Sequence, residues 1–207
     1  MSIKNVDELQ DMHLDVLKEI GNIGSGNAAS ALSTMLNCDT DISVPDVKLL
    51  DFGDAVNFLG GPENVAIGML VNLTGDISGM MLYVLQHSCA SKMTSTIFGT
   101  EIEDIANMND MERSFISEVG NIMSASYINA IASLTGLTID ISVPQMCVDM
   151  VGAILSVPAV QFAQIGNKVL FIDDRFVIGG CEVQSNMILV PEMSSLETLF
   201  SRLGVGI

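Results

Sequence analysis

Residues 17–45 read LKEIGNIGSGNAASALSTMLNCDTDISVP, and residues 116–144 read ISEVGNIMSASYINAIASLTGLTIDISVP. The two segments align without a gap at an offset of 99 residues, and both contain Glu-x-Gly-Asn-Ile near the start and Asp-Ile-Ser-Val-Pro at the end. Self-similarity of this kind indicates a tandem duplication. We predict repeat one at about residues 7–105 and repeat two at about residues 106–207, joined in one continuous domain because each half alone would bury too little apolar surface.

Each repeat predicts a long helix followed by a strand. In repeat one, apolar residues recur at helical spacing from Leu14 to Met35, and residues 41–45 then alternate in character as a half-buried strand does, before Pro45 closes the strand. Residues 65–86 predict a β-hairpin that turns at Gly75-Asp76, and residues 168–174 and 181–192 predict its counterpart in repeat two. Residues 151–166 have no evident counterpart in repeat one.

A short helix closes each half in this interpretation. It is predicted at residues 88–98 in repeat one and at residues 194–204 in repeat two, where Ser194 and Glu197 have capping-box spacing and Gly204 is a typical helix stop. Strands joined by hairpins favour an antiparallel sheet. The predicted fold class is therefore α+β: an internally duplicated domain with pseudo-twofold symmetry, in which long helices pack on an antiparallel β-sheet.

The chain is strongly acidic, with 25 Asp and Glu against eight Lys and Arg and a net charge of −17. Nucleic acids and anionic membranes attract basic proteins, so this composition argues against both as partners. The polar start, MSIKNVDELQ, and the lack of an apolar run near the ~18 residues that a spanning helix needs predict a cytoplasmic protein without membrane insertion. The cysteines lie far apart and predict reduced core thiols rather than disulfides or a zinc site; they are Cys38, Cys89, Cys147 and Cys181.

The first apparent motif is glycine-rich, because Gly21, Gly24 and Gly26 fall within six residues. A phosphate-cradling loop follows a strand and opens a helix, whereas these glycines lie inside a helical pattern. Repeat two replaces Gly24 and Gly26 by Met123 and Ala125. We therefore reject nucleotide binding, and we predict that Gly21 and Gly24 allow another element to approach closely while Gly26 keeps the opposite side open.

Both repeats keep a polar helical face. In repeat one, Asp15, Glu19 and Asn22 lie at positions i, i+4 and i+7, which share one side of a helix. The corresponding residues of repeat two are Ser114, Glu118 and Asn121. A merely solvated surface is the simpler alternative. However, asparagine is a mediocre helix former, and solvation does not require it twice in register, so the recurrence favours a functional site.

Other polar patterns have structural explanations. The stretch DTDIS imitates the D-x-D-x-T nucleophile motif of a phosphatase class, but repeat two replaces Asp39 by Thr138 and no buried apolar strand precedes it, so a turn and strand start are predicted. Asp173-Asp174 has no companion metal ligands at a recognisable spacing and predicts a charged hairpin turn. No Ser/His/Asp or Cys/His nucleophile set is visible. The two isolated histidines are His13 and His87.

The doubled pattern resembles the signature of the CheC/CheX/FliY family, which dephosphorylates the chemotaxis response regulator CheY. In that signature a glutamate follows an Asp or Ser by four residues, an asparagine follows the glutamate by three, and a proline follows the asparagine by 23. Both copies here match it without departure, and two copies in one chain resemble the two-motif members of the family. The matching residues are Asp15, Glu19, Asn22 and Pro45 in repeat one and Ser114, Glu118, Asn121 and Pro144 in repeat two.

The resemblance implies a phosphatase that hydrolyses the aspartyl phosphate of CheY. It implies that Asn22 and Asn121 orient the attacking water, while Glu19 and Glu118 pair with a cation of the regulator and fix its docking. A carboxamide can both donate to and accept from a water molecule, which suits in-line phosphoryl transfer. The Mg²⁺ is expected on CheY, so no metal or cofactor of the chain's own is implied. A weaker docking role is implied for Asp15 and Ser114, and a structural role for Pro45 and Pro144.

A second partner is implied by the same resemblance, the receptor-modifying deamidase CheD. The segment CVDMVGAIL, which contains Asp149, has no close match in repeat one and is the expected docking surface. The competing hypothesis is a non-catalytic interaction protein similar to the middle domain of the flagellar switch protein FliM. That domain lacks the Glu-x-x-Asn pair, so the intact pairs in both repeats argue against this alternative.

Overall fold

The helices and strands occur in the same order in the two repeats. The computed structural model describes residues 6–43, 45–162 and 168–205. The helices are α1 (Asp11–Leu36), α2 (Phe52–Phe58), α3 (His87–Phe98), α4 (Asp110–Thr135), α5 (Val151–Phe162) and α6 (Met193–Arg202). The strands are β1 (Thr40–Ile42), β2 (Asp46–Asp51), β3 (Val65–Gly75), β4 (Gly79–Leu85), β5 (Ile139–Ile141), β6 (Gln145–Met150), β7 (Lys168–Ile178) and β8 (Cys181–Pro191). Short 3-10 helices precede α1 and α4, at Val6–Glu8 and Ile105–Asn107.

The two long helices have the same offset as the sequence repeat. Helices α1 and α4 each have 26 residues, and both their first and last residues differ by the offset of 99 seen in the sequence. Each helix ends at a residue in the left-handed conformation, Asn37 (φ 49°) and Gly136 (φ 70°), which is a common way for helices to stop. At the start of α4 the Asn109 side chain accepts hydrogen bonds from the backbone N–H groups of Met111 and Glu112. These ends fix the same stretch of helix in both repeats.

One antiparallel sheet contains all eight strands, in the order β1-β7-β8-β4-β3-β5, with β2 also on β7 and β6 also on β3. The β3–β4 hairpin turns just after Gly75, as predicted, and the β7–β8 hairpin turns at Gly179-Gly180. Strands β4 and β8 pair at the centre, with Tyr83 opposite Met187. The predicted fold class, α+β with long helices on an antiparallel sheet, is confirmed.

The repeats exchange strands at both edges of this sheet. Strand β2 of repeat one pairs with β7 of repeat two, from Asp46 opposite Asp173 to Asp51 opposite Lys168. Strand β6 of repeat two pairs in the same way with β3 of repeat one. Neither half therefore completes its own part of the sheet.

Helices cover both faces of the sheet. On one face α1, α3, α4 and α6 bury the larger apolar core, whose members include Leu32, Tyr83 and Phe200. On the other face α2 and α5 cover a smaller core that includes Leu59, Val151 and Phe171. Burial of these two layers is the main stabilising term, since it removes most of the large apolar side chains from water.

The expectation that residues 151–166 are an insert without counterpart is wrong. Helix α5 begins at Val151 and helix α2 begins at Phe52, which are again 99 residues apart, and both helices cover the same face of the sheet. Their sequences differ enough to hide the relation, and residues 163–166 lie outside the described residues. The structure also adds a strand after each proline, β2 after Pro45 and β6 after Pro144, so the prolines separate two strands rather than closing the last one.

Three smaller predictions need correction. Asp173 and Asp174 lie inside strand β7 and are buried, so they do not form a hairpin turn. Helix α6 is capped at Glu192 without a side-chain hydrogen bond, so the capping box predicted from Ser194 is absent from it. All four cysteines are free, as expected, but Cys147 and Cys181 are exposed rather than in the core. Within the described ranges, no helix has both the length and the apolar character needed to cross a membrane.

Candidate functional site

The predicted polar face of repeat one lies on the solvent side of α1. Asp15, Glu19 and Asn22 are all exposed, whereas Leu17 and Ile20, on the other side of the helix, are buried in the core. The 3.6-residue period of the helix separates the two sets, because i, i+4 and i+7 recur on one side. The prediction that this face is solvent-facing is confirmed.

Repeat two places its polar face on α4 in the same way. Ser114 and Glu118 are exposed, and Asn121 is half-buried. The buried side of this helix contains Ile116 and Val119. The two faces therefore differ in one respect, the greater enclosure of the second asparagine.

The side chains of both faces are free to contact an external molecule. Within residues 6–43, 45–162 and 168–205, the structure gives no hydrogen bond or ion pair to the functional groups of Glu19, Asn22, Glu118 or Asn121. Each face thus presents an anionic carboxylate and a neutral carboxamide, one helical turn apart and uncompensated by neighbours. Such a pair can dock a cation and orient a water molecule.

The glycines next to the first face allow close packing, as predicted. A Cβ atom on Gly21 would lie 3.1 Å from Cγ of Pro45, and one on Gly24 would lie 3.0 Å from the Cα atom of Tyr127 on α4. A Cβ atom on Gly26 would meet nothing within 4 Å. Gly21 and Gly24 therefore let the strand-linking proline and the second helix approach α1, while Gly26 leaves the exposed side open.

Beneath the two faces lies a hydrogen-bonded group that we call the buried triad: Ser25 on α1, Tyr127 on α4 and Asp174 on β7. Ser25 Oγ donates to Asp174 Oδ1 at 2.9 Å, and Tyr127 Oη donates to Asp174 Oδ2 at 2.7 Å. The two hydroxyl oxygens are 2.6 Å apart. Burial raises the pKa of the Asp174 carboxyl from its usual 3.8 to about 6, against the opposing effect of the two hydroxyl donors.

No local sequence pattern indicates the triad. Its members are separated by 102, 47 and 149 residues along the chain, and only the fold brings them together. A recognisable clue would have been the apolar surroundings of Asp173-Asp174 within KVLFIDDRFVI, which read as one long strand. On such a strand neighbouring residues point to opposite faces, so Asp174 points toward α1 and α4 while Asp173 accepts hydrogen bonds from Gln184 and Asn186.

Asp149, the predicted partner-binding residue, lies away from the two polar faces. It is exposed on β6 and lines a groove of about 410 Å³ together with Cys147 and with Ile154 and Val157 of α5. Its carboxylate accepts a hydrogen bond from the backbone N–H of Met150 at 2.7 Å. The structure thus separates this groove, on the α2/α5 side of the sheet, from the Glu/Asn faces on α1 and α4. In the described part of the chain, no group of three or more His, Cys, Asp or Glu side chains is arranged to hold a metal ion.

Comparisons with known proteins agree with the duplicated signature. A sequence model described as the CheC-like family matches residues 12–49 and 111–147, one match in each repeat. The chain is 33% identical to the CheY-P phosphatase CheC of Bacillus subtilis, and the alignment covers 100% of both proteins. It is 30% identical over 70% of its length to the flagellar motor switch phosphatase FliY of the same organism, of which it spans 38%.

Solved structures show that the fold itself is shared more widely. Thermotoga maritima FliY superposes with a TM-score of 0.76 at 22% identity, over 95% of this chain and 98% of that one. The middle domain of FliM from H. pylori superposes with a TM-score of 0.67 at 14% identity, over 94% of this chain and 99% of that one. At these identities the likeness shows the fold alone, so the fold does not discriminate between a phosphatase and a switch component.

Proposed function

Because this chain belongs to the CheC-like family, we propose that it is a chemotaxis phosphatase that hydrolyses the aspartyl phosphate of the response regulator CheY. The observation that supports this most is the pair of Glu/Asn faces, which lie at the same positions of two repeated helices with both glutamates exposed. The full-length relative named CheY-P phosphatase CheC supports the same substrate. We also propose that the protein is located in the cytoplasm, as the sequence predicts.

In the proposed mechanism, Asn22 and Asn121 each hold a water molecule in line with the bond that breaks. The carboxamide accepts a hydrogen bond from the water and donates one to it, so the water's lone pair is directed at phosphorus. The phosphoryl group is transferred to this water, and the regulator's aspartate leaves as a carboxylate. A carboxylate in place of the amide would repel the phosphoryl oxygens.

Glu19 and Glu118 are assigned to docking. Each lies one turn from its asparagine, and neither forms an ion pair among the described residues, so its charge is available to a cation at the active site of the regulator. Asp15 and Ser114, four residues earlier on the same face, are proposed to contact the edge of the docked regulator. The Mg²⁺ that neutralises the phosphoryl group is proposed to remain on CheY, so the chain's own residues supply positioning alone.

We also propose CheD as a second partner, docking at the groove that Asp149 lines. The groove combines a carboxylate with apolar walls from Ile154 and Val157, which is a common composition for a protein-binding surface. Charge reversal by Asp149→Lys is expected to weaken CheD binding and to leave dephosphorylation of CheY intact, because the groove lies on the opposite side of the sheet from the Glu/Asn faces. Isothermal titration with CheD, beside a dephosphorylation assay, separates the two functions.

The decisive experiment follows phosphate release from pre-phosphorylated CheY. Wild-type protein is expected to accelerate release, and the double variant Asn22→Ala/Asn121→Ala is expected to return it to the intrinsic rate. The alternative, a non-catalytic switch component of the FliM type, predicts that the wild-type protein binds CheY without acceleration. Thermal melts of both proteins are the control, since loss of activity counts only in a folded variant.

A further inference from the structure

We propose that Asp174 is a positioning residue for the phosphatase reaction. By accepting one hydrogen bond from each long helix, it fixes where α1 and α4 cross and thereby the placement of the two Glu/Asn faces. This inference rests on the proposed function. It assigns a role to a buried carboxylate that touches neither the water nor the regulator.

The geometry places the buried triad at the helix crossing. Gly24 lies against the backbone of Tyr127, so the helices are closest beside Ser25, whose hydroxyl is bonded to Asp174. Ser25 follows Asn22 by one helical turn, whereas Tyr127 follows Asn121 by six residues, or about 9 Å along the helix axis. A small displacement at the crossing therefore moves both asparagines, and positioning catalysis is sensitive to shifts of about 1 Å.

The number of hydroxyl protons determines which hydrogen bonds the buried triad can form. Three oxygen–oxygen contacts of 2.6, 2.7 and 2.9 Å join the groups, but the two hydroxyls supply only two protons. With the carboxyl ionised, both protons go to Asp174, so each helix is bonded directly to β7. In Asp174→Asn the amide N–H can donate to Ser25, Ser25 to Tyr127, and Tyr127 to the amide oxygen, so all three contacts hold a proton. The conservative variant thus keeps the connection, whereas Asp174→Ala removes it.

The chain supplies matched controls for the two hydroxyls. Ser124 is the equivalent of Ser25 in repeat two, and its hydroxyl donates at 2.7 Å to the backbone oxygen of Gly120 in its own helix. The hydroxyl of Tyr83 is as deeply buried as that of Tyr127, and it lies near Asp174 and Ser124 without a hydrogen bond to any member of the buried triad. Ser124→Ala and Tyr83→Phe therefore remove the same kinds of hydroxyl without removing a hydrogen bond of the buried triad.

The test measures kcat and KM for phosphorylated CheY at each site separately. The Asn121→Ala background leaves site one, on α1, and the Asn22→Ala background leaves site two, on α4. We expect Ser25→Ala to lower kcat at site one by at least about threefold and to affect site two less, with the reverse for Tyr127→Phe. KM is expected to change little because the glutamates remain. Ser124→Ala, Tyr83→Phe and Asp174→Asn are expected to keep kcat within about twofold of the background.

Two outcomes would overturn the inference. The first is an unchanged kcat at both sites in Ser25→Ala and in Tyr127→Phe. The second is an equal loss at both sites that parallels a lower Tm, which would show a purely structural role. If Asp174→Ala does not fold, Ser25→Ala, Tyr127→Phe and the conservative variant Asp174→Asn still test the positioning role. Failure of the proposed function is distinct, because then the Asn22→Ala/Asn121→Ala double variant would retain wild-type acceleration.

Discussion

Gly24 of α1 lies against Tyr127 of α4 so closely that a Cβ atom on the glycine would come within 3.0 Å of both the Cα atom and the ring of the tyrosine. A single methyl group at this position therefore meets backbone, which has little freedom to move. The contact sets the distance between the two helices that carry the polar faces.

The first prediction compares alanine at two glycines of α1. Alanine favours a helix over glycine by about 1 kcal/mol, so Gly26→Ala, whose Cβ meets nothing, is expected to raise the free energy of unfolding by roughly 0.5–1 kcal/mol. Gly24→Ala is expected to lower it by about 1–2 kcal/mol, because overpacking against Tyr127 outweighs the gain. Urea denaturation of both variants checks this, and a Gly24→Ala protein more stable than wild type would contradict the packing assigned to the crossing.

The second prediction concerns docking. Glu19→Lys is expected to abolish CheY binding at site one, measured in the Glu118→Lys background, and to leave the melting temperature within a degree or two, because the side chain is exposed. Glu118→Lys is expected to do the same at site two in the Glu19→Lys background. Asp54→Lys is the matched control: this exposed acid lies on α2, beyond the sheet, and its reversal changes the net charge equally. Intact binding in Glu19→Lys/Glu118→Lys would exclude the docking role.

The third prediction concerns independence of the two sites. Each helix carries a complete Glu/Asn face, so Asn22→Ala and Asn121→Ala are each expected to retain part of the wild-type phosphate release. Replacing asparagine by alanine in a helix is expected to stabilise by roughly 0.5 kcal/mol, so lost activity would not reflect unfolding. Steady-state assays with phosphorylated CheY test this. If either single variant failed to accelerate phosphate release, only one of the two sites would be catalytically active.

The fourth prediction is a pH-dependent stability from Asp174. Its pKa in the folded protein is raised from 3.8 to about 6, mainly by burial, with Tyr127, Tyr83 and Asp173 as the nearby titratable groups. The folded state therefore holds this proton more tightly than the unfolded state, so the stability that Asp174 contributes is full below pH 3.8 and is lost as pH rises through 6. Asn does not titrate. Relative to Asp174→Asn, the wild-type protein is expected to lose about 1.5 kcal/mol between pH 5 and pH 7.5.

Chemical denaturation of both proteins at these two pH values measures that difference. The range avoids the pI near 4.1, where solubility is lowest. Only the difference between the two proteins is compared, so titrations that they share cancel. A difference that stays constant with pH would contradict the shift assigned to Asp174.

The sequence allowed prediction of features that depend on local period and on repetition. The presence of the long helices α1 and α4, the hairpin after Gly75 and the exposure of Glu19 and Glu118 all follow from residues close together in the chain. The α2/α5 relation was missed because two short helices with different residues preserve only their position. Asp174 was missed because its surroundings come from distant segments, and two adjacent acids on a strand resemble a turn until the sheet that buries them is known.

The strand exchange between the repeats has a consequence for synthesis on the ribosome. Residues 46–51 emerge with repeat one, but their hydrogen-bonding partner, residues 168–173, is translated only near the end of the chain. Until then the apolar underside of α1 and one edge of the growing sheet have no native cover. Because such long-range pairing must wait for a distant segment, the nascent first half is expected to remain incompletely folded, and the two halves complete their structure together.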